Sequence, residues 1–271
     1  MPTSERVLRF AVRTARKAGA AMMAMRGGGY GYKGVRDLVT KADRASERMI
    51  VRAIRKAFPG HGIFAEEGGA RKGDGEWEWI VDPLDGTTNY AHGLPNFAVS
   101  MGLARIGSDG RRRVEVAVVH APALGETFVA AKGKGATRNG RPIRVSRTTS
   151  LIRSLLVTGF AYDRDRSCDT NIGNFGKLLM RVRDIRRFGA ASLDFAYVAC
   201  GRFDGFWELH LAPWDKAAGS LLVSEAGGRV TDEKGGDGFL AGPAIVATNG
   251  RIHEALRRSL SRLKHRGWGY K

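Results

Sequence analysis

One stretch of the sequence reads Trp79-Ile80-Val81-Asp82-Pro83-Leu84-Asp85-Gly86-Thr87-Thr88-Asn89, so an apolar strand runs directly into two acids, a proline, a glycine and two hydroxyls. Because the proline fixes the turn between them, the two carboxylates can converge on one small volume instead of alternating across a strand. Hard divalent cations prefer such oxygen ligands. The glycine and threonines that follow present backbone N–H groups at a predicted helix N-terminus, where a phosphate is favoured. The stretch therefore predicts adjacent metal and phosphate sites.

Two further groups of acids lie where predicted elements begin or end. Glu66 and Glu67 follow a predicted strand that starts at Ile63, and Asp215 follows Pro213-Trp214 at the start of a predicted helix. Ordinary surface acids, or a helix N-cap in the case of Asp215, explain these positions as well as metal ligands do. Composition and spacing alone leave both interpretations open.

The flanking sequence predicts both helices and strands. Apolar residues at helical spacing predict a helix over residues 4–25 and a second helix after Asp43 that stops at Pro59-Gly60. Short apolar runs between residues 62 and 145 predict strands, and Asn139-Gly140 predicts a tight hairpin turn.

The second half of the chain alternates strands with helices. The predicted strands begin near Leu155, Asp184, Asp204 and Ala244. A final helix is predicted from Arg251 to Leu263. Such alternation implies stacked α and β layers around a core, the α/β (layered α+β) class. We predict a single domain over residues 1–271 with two sub-halves, about 1–148 and 149–271, and a disordered tail over 265–271.

Composition excludes several classes of protein. Hydrophobic residues make up 43% and charged residues 27%, which is typical of a soluble globular protein. No apolar stretch of about 18 residues occurs and the first residues lack a signal-peptide core, so we expect no membrane span and a cytoplasmic location. Cys168 and Cys200 lack metal-ligand spacing, which argues against a zinc site and a disulfide framework.

The formal net charge of +18 is concentrated towards the two ends of the chain. Residues 1–36 contain eight Lys or Arg against one acid, and residues 251–271 contain seven against one. A basic surface gives solubility and steers phosphorylated substrates by its long-range field. The alternative is binding to nucleic acid or to a transcription complex, for which the sequence offers Arg111, Arg112, Arg113, Arg181, Arg183, Arg186 and Arg187.

Over nearly its whole length the chain resembles the inositol monophosphatase family. The stretch Trp79 to Asn89 is similar to the family's metal-binding signature, and Glu66-Glu67 matches its upstream acidic pair. Trp214 to Gly228 is similar to the C-terminal signature, while Asp37 to Asp43 and Gly189 to Glu208 match further motifs. The resemblance implies the αβαβα sandwich of inositol monophosphatases and fructose-1,6-bisphosphatases.

The resemblance also implies a magnesium centre of two to three ions. Glu66, Asp82 and the Leu84 carbonyl match the ligands of a first Mg²⁺. Asp82, Asp85 and Asp215 match the ligands of a second, with Asp82 bridging, and a weaker third ion is implied near Glu66. One ion lowers the pKa of a bound water and another neutralises charge on the phosphate and the leaving oxygen.

Catalytic and substrate-binding roles follow from the same matches. Thr87 and Asp43 match the pair that orients the nucleophilic water, and Glu66 is catalytic through the ion it holds. No covalent phosphoenzyme is expected. Two positions depart from the family pattern: Ala190 replaces a commoner Ser or Thr, and Lys216 replaces an apolar residue. The predicted substrate-binding set is Leu84, Asp85, Gly86, Thr87, Gly189, Ala190, Ala191, Glu208 and Asp215.

The implied activity is Mg²⁺-dependent, lithium-sensitive hydrolysis of a small phosphomonoester, with myo-inositol 1-phosphate as the first candidate. The rivals are fructose-1,6-bisphosphatase, histidinol-phosphate phosphatase and nucleotide 3′-phosphatase activity. Thr88-Asn89 favours the inositol branch, because the second threonine is typically Lys in the nucleotide branch and Arg in the histidinol branch. Family members are commonly homodimers, and Arg186 and Arg187 are implied at or near that interface.

Overall fold

A computed structural model describes residues 4–162 and 170–261 of the chain. The helices are α1 (Ser4–Ala24), α2 (Lys41–Ala57), α3 (Thr87–Ala91), α4 (Ile172–Leu179), α5 (Ala191–Ala199), α6 (Pro213–Glu225) and α7 (His253–Ser261). The first strands are β1 (Tyr30–Tyr32), β2 (Leu38–Thr40), β3 (Gly62–Ala65), β4 (Gly69–Arg71), β5 (Trp77–Asp85), β6 (Ala98–Ile106), β7 (Arg112–Ala121) and β8 (Glu126–Ala131). The remaining strands are β9 (Ala136–Arg138), β10 (Arg141–Pro142), β11 (Leu155–Thr158), β12 (Asp184–Arg186), β13 (Gly205–Leu209), β14 (Arg229–Thr231) and β15 (Ala244–Thr248).

These elements stack in five layers. Helices α1 and α2 cover one face of an eight-stranded sheet with the order β10-β9-β8-β7-β6-β5-β3-β4. Helices α5 and α6 lie between this sheet and a five-stranded sheet with the order β12-β11-β13-β15-β14. Helices α4 and α7 cover the far side of the smaller sheet. The layered αβαβα sandwich predicted from the sequence is confirmed.

The middle layer is the most tightly packed part of the core. Every residue of α5 is buried, so this helix is apolar on nearly all sides, as expected between two sheets. A Cβ added at Gly219 of α6 would lie 2.4 Å from the ring of Phe195. Glycine is therefore required at this position for α6 to approach α5 closely.

Helix α2 begins earlier than the sequence analysis placed it. The Thr40 side chain accepts hydrogen bonds from the backbone N–H groups of Ala42 and Asp43, and the Asp43 carboxylate accepts one back from the Thr40 N–H. This capping box makes Thr40, not Asp43, the N-cap. Asp43 consequently lies buried in the first turn of the helix.

Among the other predictions of local structure, a hairpin turn is confirmed and several short strands were missed. The hairpin turn at Asn139-Gly140 is confirmed, since both residues have positive φ, 50° and 77°. The short strands β1, β2, β4 and β14 were not predicted, because three residues are too few to show a clear periodicity, whereas the equally short β12 was predicted from its place in the alternation of strands and helices. Leu263, the tail over 265–271 and Cys168 lie outside the described residues. Within the described ranges, none of the helices combines the length and apolar character needed to cross a bilayer.

Candidate metal and phosphate site

Strand β5 delivers two acids to one cavity. Its pairing with β6 shifts register between Asp82 and Asp85, at the point where Pro83 interrupts the ladder. Such a bulge allows two residues three apart to project to the same side. The Ser46 hydroxyl donates to the Pro83 carbonyl at 2.8 Å and so ties the bulge to α2. Both acids line a cavity of about 300 Å³.

Two other elements bring the remaining acids into the same cavity. Glu66 stands just after β3, which is parallel to β5 in the large sheet, and Asp215 lies in the first turn of α6. Both line the cavity together with Glu208 from β13. The structure therefore gathers all of the predicted metal-ligating residues, including Leu84, around one volume.

Burial and mutual repulsion dominate the electrostatics of these acids. Burial raises the pKa of Glu66 to about 7, against the opposing effect of the Lys33 ammonium, whose Nζ lies 3.0 Å from Glu66 Oε1. Burial, followed by the charges of neighbouring acids, holds the pKa of both Asp82 and Asp215 well above its usual range. A buried group of like charges is unfavourable unless a cation neutralises it.

Protein donors hold part of each carboxylate. Asp85 accepts hydrogen bonds from the Ala191 N–H at 3.1 Å, the Ser192 N–H at 2.7 Å and the Ser192 hydroxyl at 2.5 Å. Asp215 accepts one from the Ala212 N–H at 2.7 Å, and Asp82 is held at 2.9 Å by the Leu84 N–H. Among the described residues, no group of three or more Asp, Glu, His or Cys side chains meets the geometry of a metal site. The oxygen-only donor set nonetheless fits a hard cation such as Mg²⁺.

A hydroxyl and a carboxylate form a buried pair beside the acids. The Thr87 hydroxyl lies 3.0 Å from Asp43 Oδ1 and 3.1 Å from the Leu84 carbonyl. The other oxygen of Asp43 accepts from the Thr40 N–H at 2.7 Å and from the Thr40 hydroxyl at 2.5 Å. The Asp43 carboxylate is thus fixed in orientation. It is connected to the cavity by its hydrogen bond with Thr87, which lines the cavity wall.

Gly86 joins β5 to α3 in a conformation that other residues avoid. Its φ is +87°, and an added Cβ would lie 2.8 Å from the Asn96 carbonyl and 3.1 Å from Ala190 Cβ. We expect Gly86→Ala to destabilise the fold by at least about 1–2 kcal/mol, from the left-handed conformation alone. Denaturant unfolding measures this loss. Gly75→Ala is the matched control, because Gly75 has no positive φ and nothing near its Cβ, and a loss of equal size there would contradict the explanation.

Four more of the predicted substrate contacts line the same cavity. Gly189, Ala190 and Ala191 precede or begin α5, and all three line the cavity. The Ala191 N–H already donates to Asp85, so it is committed to that acid. Glu208 is buried, and burial followed by the charge of Asp215 raises its pKa to about 8.

Several cavity residues were not predicted as site residues. Asp37, Tyr162, Arg187 and His210 all line the cavity. Asp37 stands in a matched family motif, which could have pointed to it, whereas Arg187 was assigned to the subunit interface. Lys216 does not line the cavity, because adjacent positions on a helix are turned by about 100°. Its ammonium is buried and donates to the Gly242 carbonyl at 2.8 Å.

A family model and several relatives match most of the chain. The family model described as "Inositol monophosphatase family" matches residues 3–265. The chain belongs to the inositol monophosphatase family. It is 50% identical over 231 residues to Nus factor SuhB of Pseudomonas aeruginosa, a match that covers 83% of each chain. It is 44% identical over 258 residues to Nus factor SuhB of Escherichia coli K12, covering 92% of this chain and 94% of the relative.

A solved inositol monophosphatase structure has the same fold. The enzyme from Anabaena (Nostoc) sp. PCC 7120 superimposes with a TM-score of 0.88 at 44% identity, covering 97% of this chain and 98% of that one. Membership in the inositol monophosphatase family places the chain in a phosphatase superfamily whose members generally depend on Mg²⁺.

Proposed function

We propose that the protein is a Mg²⁺-dependent phosphatase of a small phosphomonoester. The observation that supports this most strongly is the convergence of Glu66, Asp82, Asp85 and Asp215 on one cavity beside the Thr87–Asp43 pair. Asp82 and Asp85 are buried, and Glu66 and Asp215 are half-buried. A surface function would not require four acids to gather in one such cavity.

Glu66, Asp82, the Leu84 carbonyl, Asp85 and Asp215 would hold two to three Mg²⁺ ions. When bound, the ions supply a low-pKa water and neutralise charge on the phosphate. The Thr87 hydroxyl, fixed by Asp43, orients the attacking water and passes its proton towards the carboxylate. The N–H groups at Gly86 and Thr87 face the phosphate. Glu208 lines the same cavity and accepts hydrogen bonds from substrate hydroxyls.

The leading substrate is myo-inositol 1-phosphate. The cavity of about 300 Å³ suits a small hydroxylated monoester, and the Anabaena structure that the chain resembles is named for this activity. Fructose 1,6-bisphosphate or another sugar phosphate is the alternative. Glu208 faces the hydroxyl-bearing part of either molecule, so side-chain chemistry does not separate them.

A substrate panel with Mg²⁺ and with EDTA tests this proposal. We expect Mg²⁺-dependent phosphate release led by myo-inositol 1-phosphate and inhibited by lithium. The other members are fructose 1,6-bisphosphate, histidinol phosphate, glycerol 2-phosphate and adenosine 3′,5′-bisphosphate. Preference for another member would change the substrate but keep the chemistry. A folded protein that releases no phosphate from any member of the panel would overturn the phosphatase proposal.

Glu208 makes the stability of the metal-free protein depend on pH. Its folded-state pKa of about 8 lies above the ordinary value, so the folded state binds a proton that the unfolded state releases. The stabilisation is therefore complete below the unfolded pKa of about 4.5 and is lost as pH rises through about 8. In EDTA we expect Glu208→Gln to exceed wild type in unfolding free energy by a margin that grows from pH 5 to pH 9. Asp74→Asn, at an exposed acid, should leave the pH slope unchanged, and a constant margin for Glu208→Gln would contradict the burial argument.

A second candidate function is membership of a transcription complex. Its support is that two relatives at 50% and 44% identity are named Nus factors. We propose that a cytoplasmic homodimer carries this role independently of catalysis. Sedimentation would report the dimer, and co-migration with a reconstituted bacterial elongation complex would report the partner. Failure of both wild type and an inactive variant to co-migrate would reject this role.

A further inference from the structure

Helix α1 presents a row of cations to solvent. Its buried residues follow one side of the helix, and the exposed cations follow the opposite side at spacings of three, four, three and one. They are Arg6, Arg9, Arg13, Arg16 and Lys17. Only one acid, Glu5, is present in the helix.

Helix α2 presents a second row. Its two acids, Asp43 and Glu47, are buried, while every cation is exposed. Successive spacings of three, four, four, three and one keep these cations within one strip of about 120° along the helix. They are Lys41, Arg44, Arg48, Arg52, Arg55 and Lys56.

The two rows lie side by side and form one surface, the α1–α2 basic face. The ring of Phe10 near the start of α1 packs on Phe58 at the end of α2, with centroids 4.9 Å apart, so the helices run antiparallel. Both cover the same face of the large sheet, and each turns its cations away from it. Packed helix axes are about 8–10 Å apart, and the α2 row is about 22 Å long.

Local acids do not neutralise this face. Within residues 4–162 and 170–261, Arg9 with Glu5 is the single ion pair that any of these eleven cations makes. Four of the seven arginines named above as candidates for nucleic-acid binding do have acidic partners. Arg111 pairs with Asp237, Arg112 with Glu78, Arg113 with Asp109 and Arg186 with Asp184.

We propose that the α1–α2 basic face binds duplex nucleic acid through its phosphate backbone. Two parallel rows of cations, of which Arg9 alone has an acidic partner among the described residues, complement a polyanion with regularly spaced charges. The face exposes no aromatic side chain on either helix, so it offers no stacking platform for unpaired bases. None of its cations lines the catalytic cavity, so this binding rests on neither the phosphatase chemistry nor the transcription-complex role.

Fluorescence anisotropy with a labelled DNA duplex of about 20 base pairs tests the proposal. The test variant replaces Arg13, Lys17, Arg48 and Arg52 with glutamine, which keeps helix propensity nearly unchanged. The control variant replaces four exposed cations elsewhere, Lys134, Arg141, Arg147 and Lys177, and loses the same net charge. Thermal unfolding confirms that both variants are folded.

We expect the test variant to lose at least about tenfold in affinity at about 50 mM salt, while the control stays near wild type. The slope of log K against log salt concentration should become shallower by about 2–4 in the test variant. Equal weakening of both variants would overturn the proposal, because net charge alone would then explain binding. Absence of wild-type binding would overturn it too. A preference for single strands would also overturn it, because it would indicate base stacking. Competition by polyglutamate as effective as competition by duplex would overturn it as well, because it would indicate an acidic protein partner.

Discussion

Asp82→Asn is expected to abolish Mg²⁺-dependent phosphate release while making the metal-free protein more stable. The carboxylate is buried among Glu66, Asp85 and Asp215, and burial with their charges raises its pKa well above the usual range. An amide of the same shape removes one repelling charge and can still accept from the Leu84 N–H. It is also a poor ligand for Mg²⁺, so we expect a loss on the order of 10³-fold in kcat.

Thermal unfolding in EDTA and in Mg²⁺ separates these two effects. The unfolding temperature of wild type should rise when Mg²⁺ is added, by mass action. The variant should have a higher unfolding temperature than wild type in EDTA at pH 8 and should gain little from Mg²⁺. Asp74→Asn, at an exposed acid, should change neither quantity. A variant that kept its activity would refute Asp82 as a ligand, and one that unfolded more easily in EDTA would refute the repulsion argument.

Thr87→Val should reduce kcat by about 10²–10⁴-fold with little change in KM. The substitution keeps the shape of the side chain but removes the hydroxyl that lies 3.0 Å from Asp43. The Asp43 carboxylate would remain fixed by Thr40, so the fold of α2 should be intact while the carboxylate loses its link to the cavity.

Thr87→Ser is the matched variant, because it keeps the hydroxyl and removes only a methyl group. We expect it to retain most of the activity, and Asp43→Asn combined with Thr87→Val to be little worse than either single change, since the two residues act as one unit. Steady-state kinetics with saturating Mg²⁺ measures both. A tenfold rise in KM at unchanged kcat would instead assign Thr87 to substrate binding.

Much of the site and of the fold could be predicted from short stretches of the sequence. Asp82 and Asp85 belong to one short stretch, and the proline between them forces the bulge that aligns them, so no distant contact is needed. The long amphipathic helices were also predicted, because apolar residues at helical spacing indicate a helix without any knowledge of the tertiary structure. The start of α2 was misplaced by one turn, since the capping box at Thr40 was not recognised.

The sequence by itself determined the strand that ends in two acids, the helical periodicities and the excess of positive charge. It could not show from the residues alone that Glu66 and Asp215 are ligands and not surface acids, because they join Asp82 only when β3 pairs with β5 and α6 packs beneath the sheet. Nor could it show that Arg111, Arg112 and Arg113 each pair with an acid, while α1 and α2 combine two rows of cations in which Arg9 alone has an acidic partner among the described residues. Proximity between residues far apart in the chain comes from packing, so only the tertiary structure decided which charges meet.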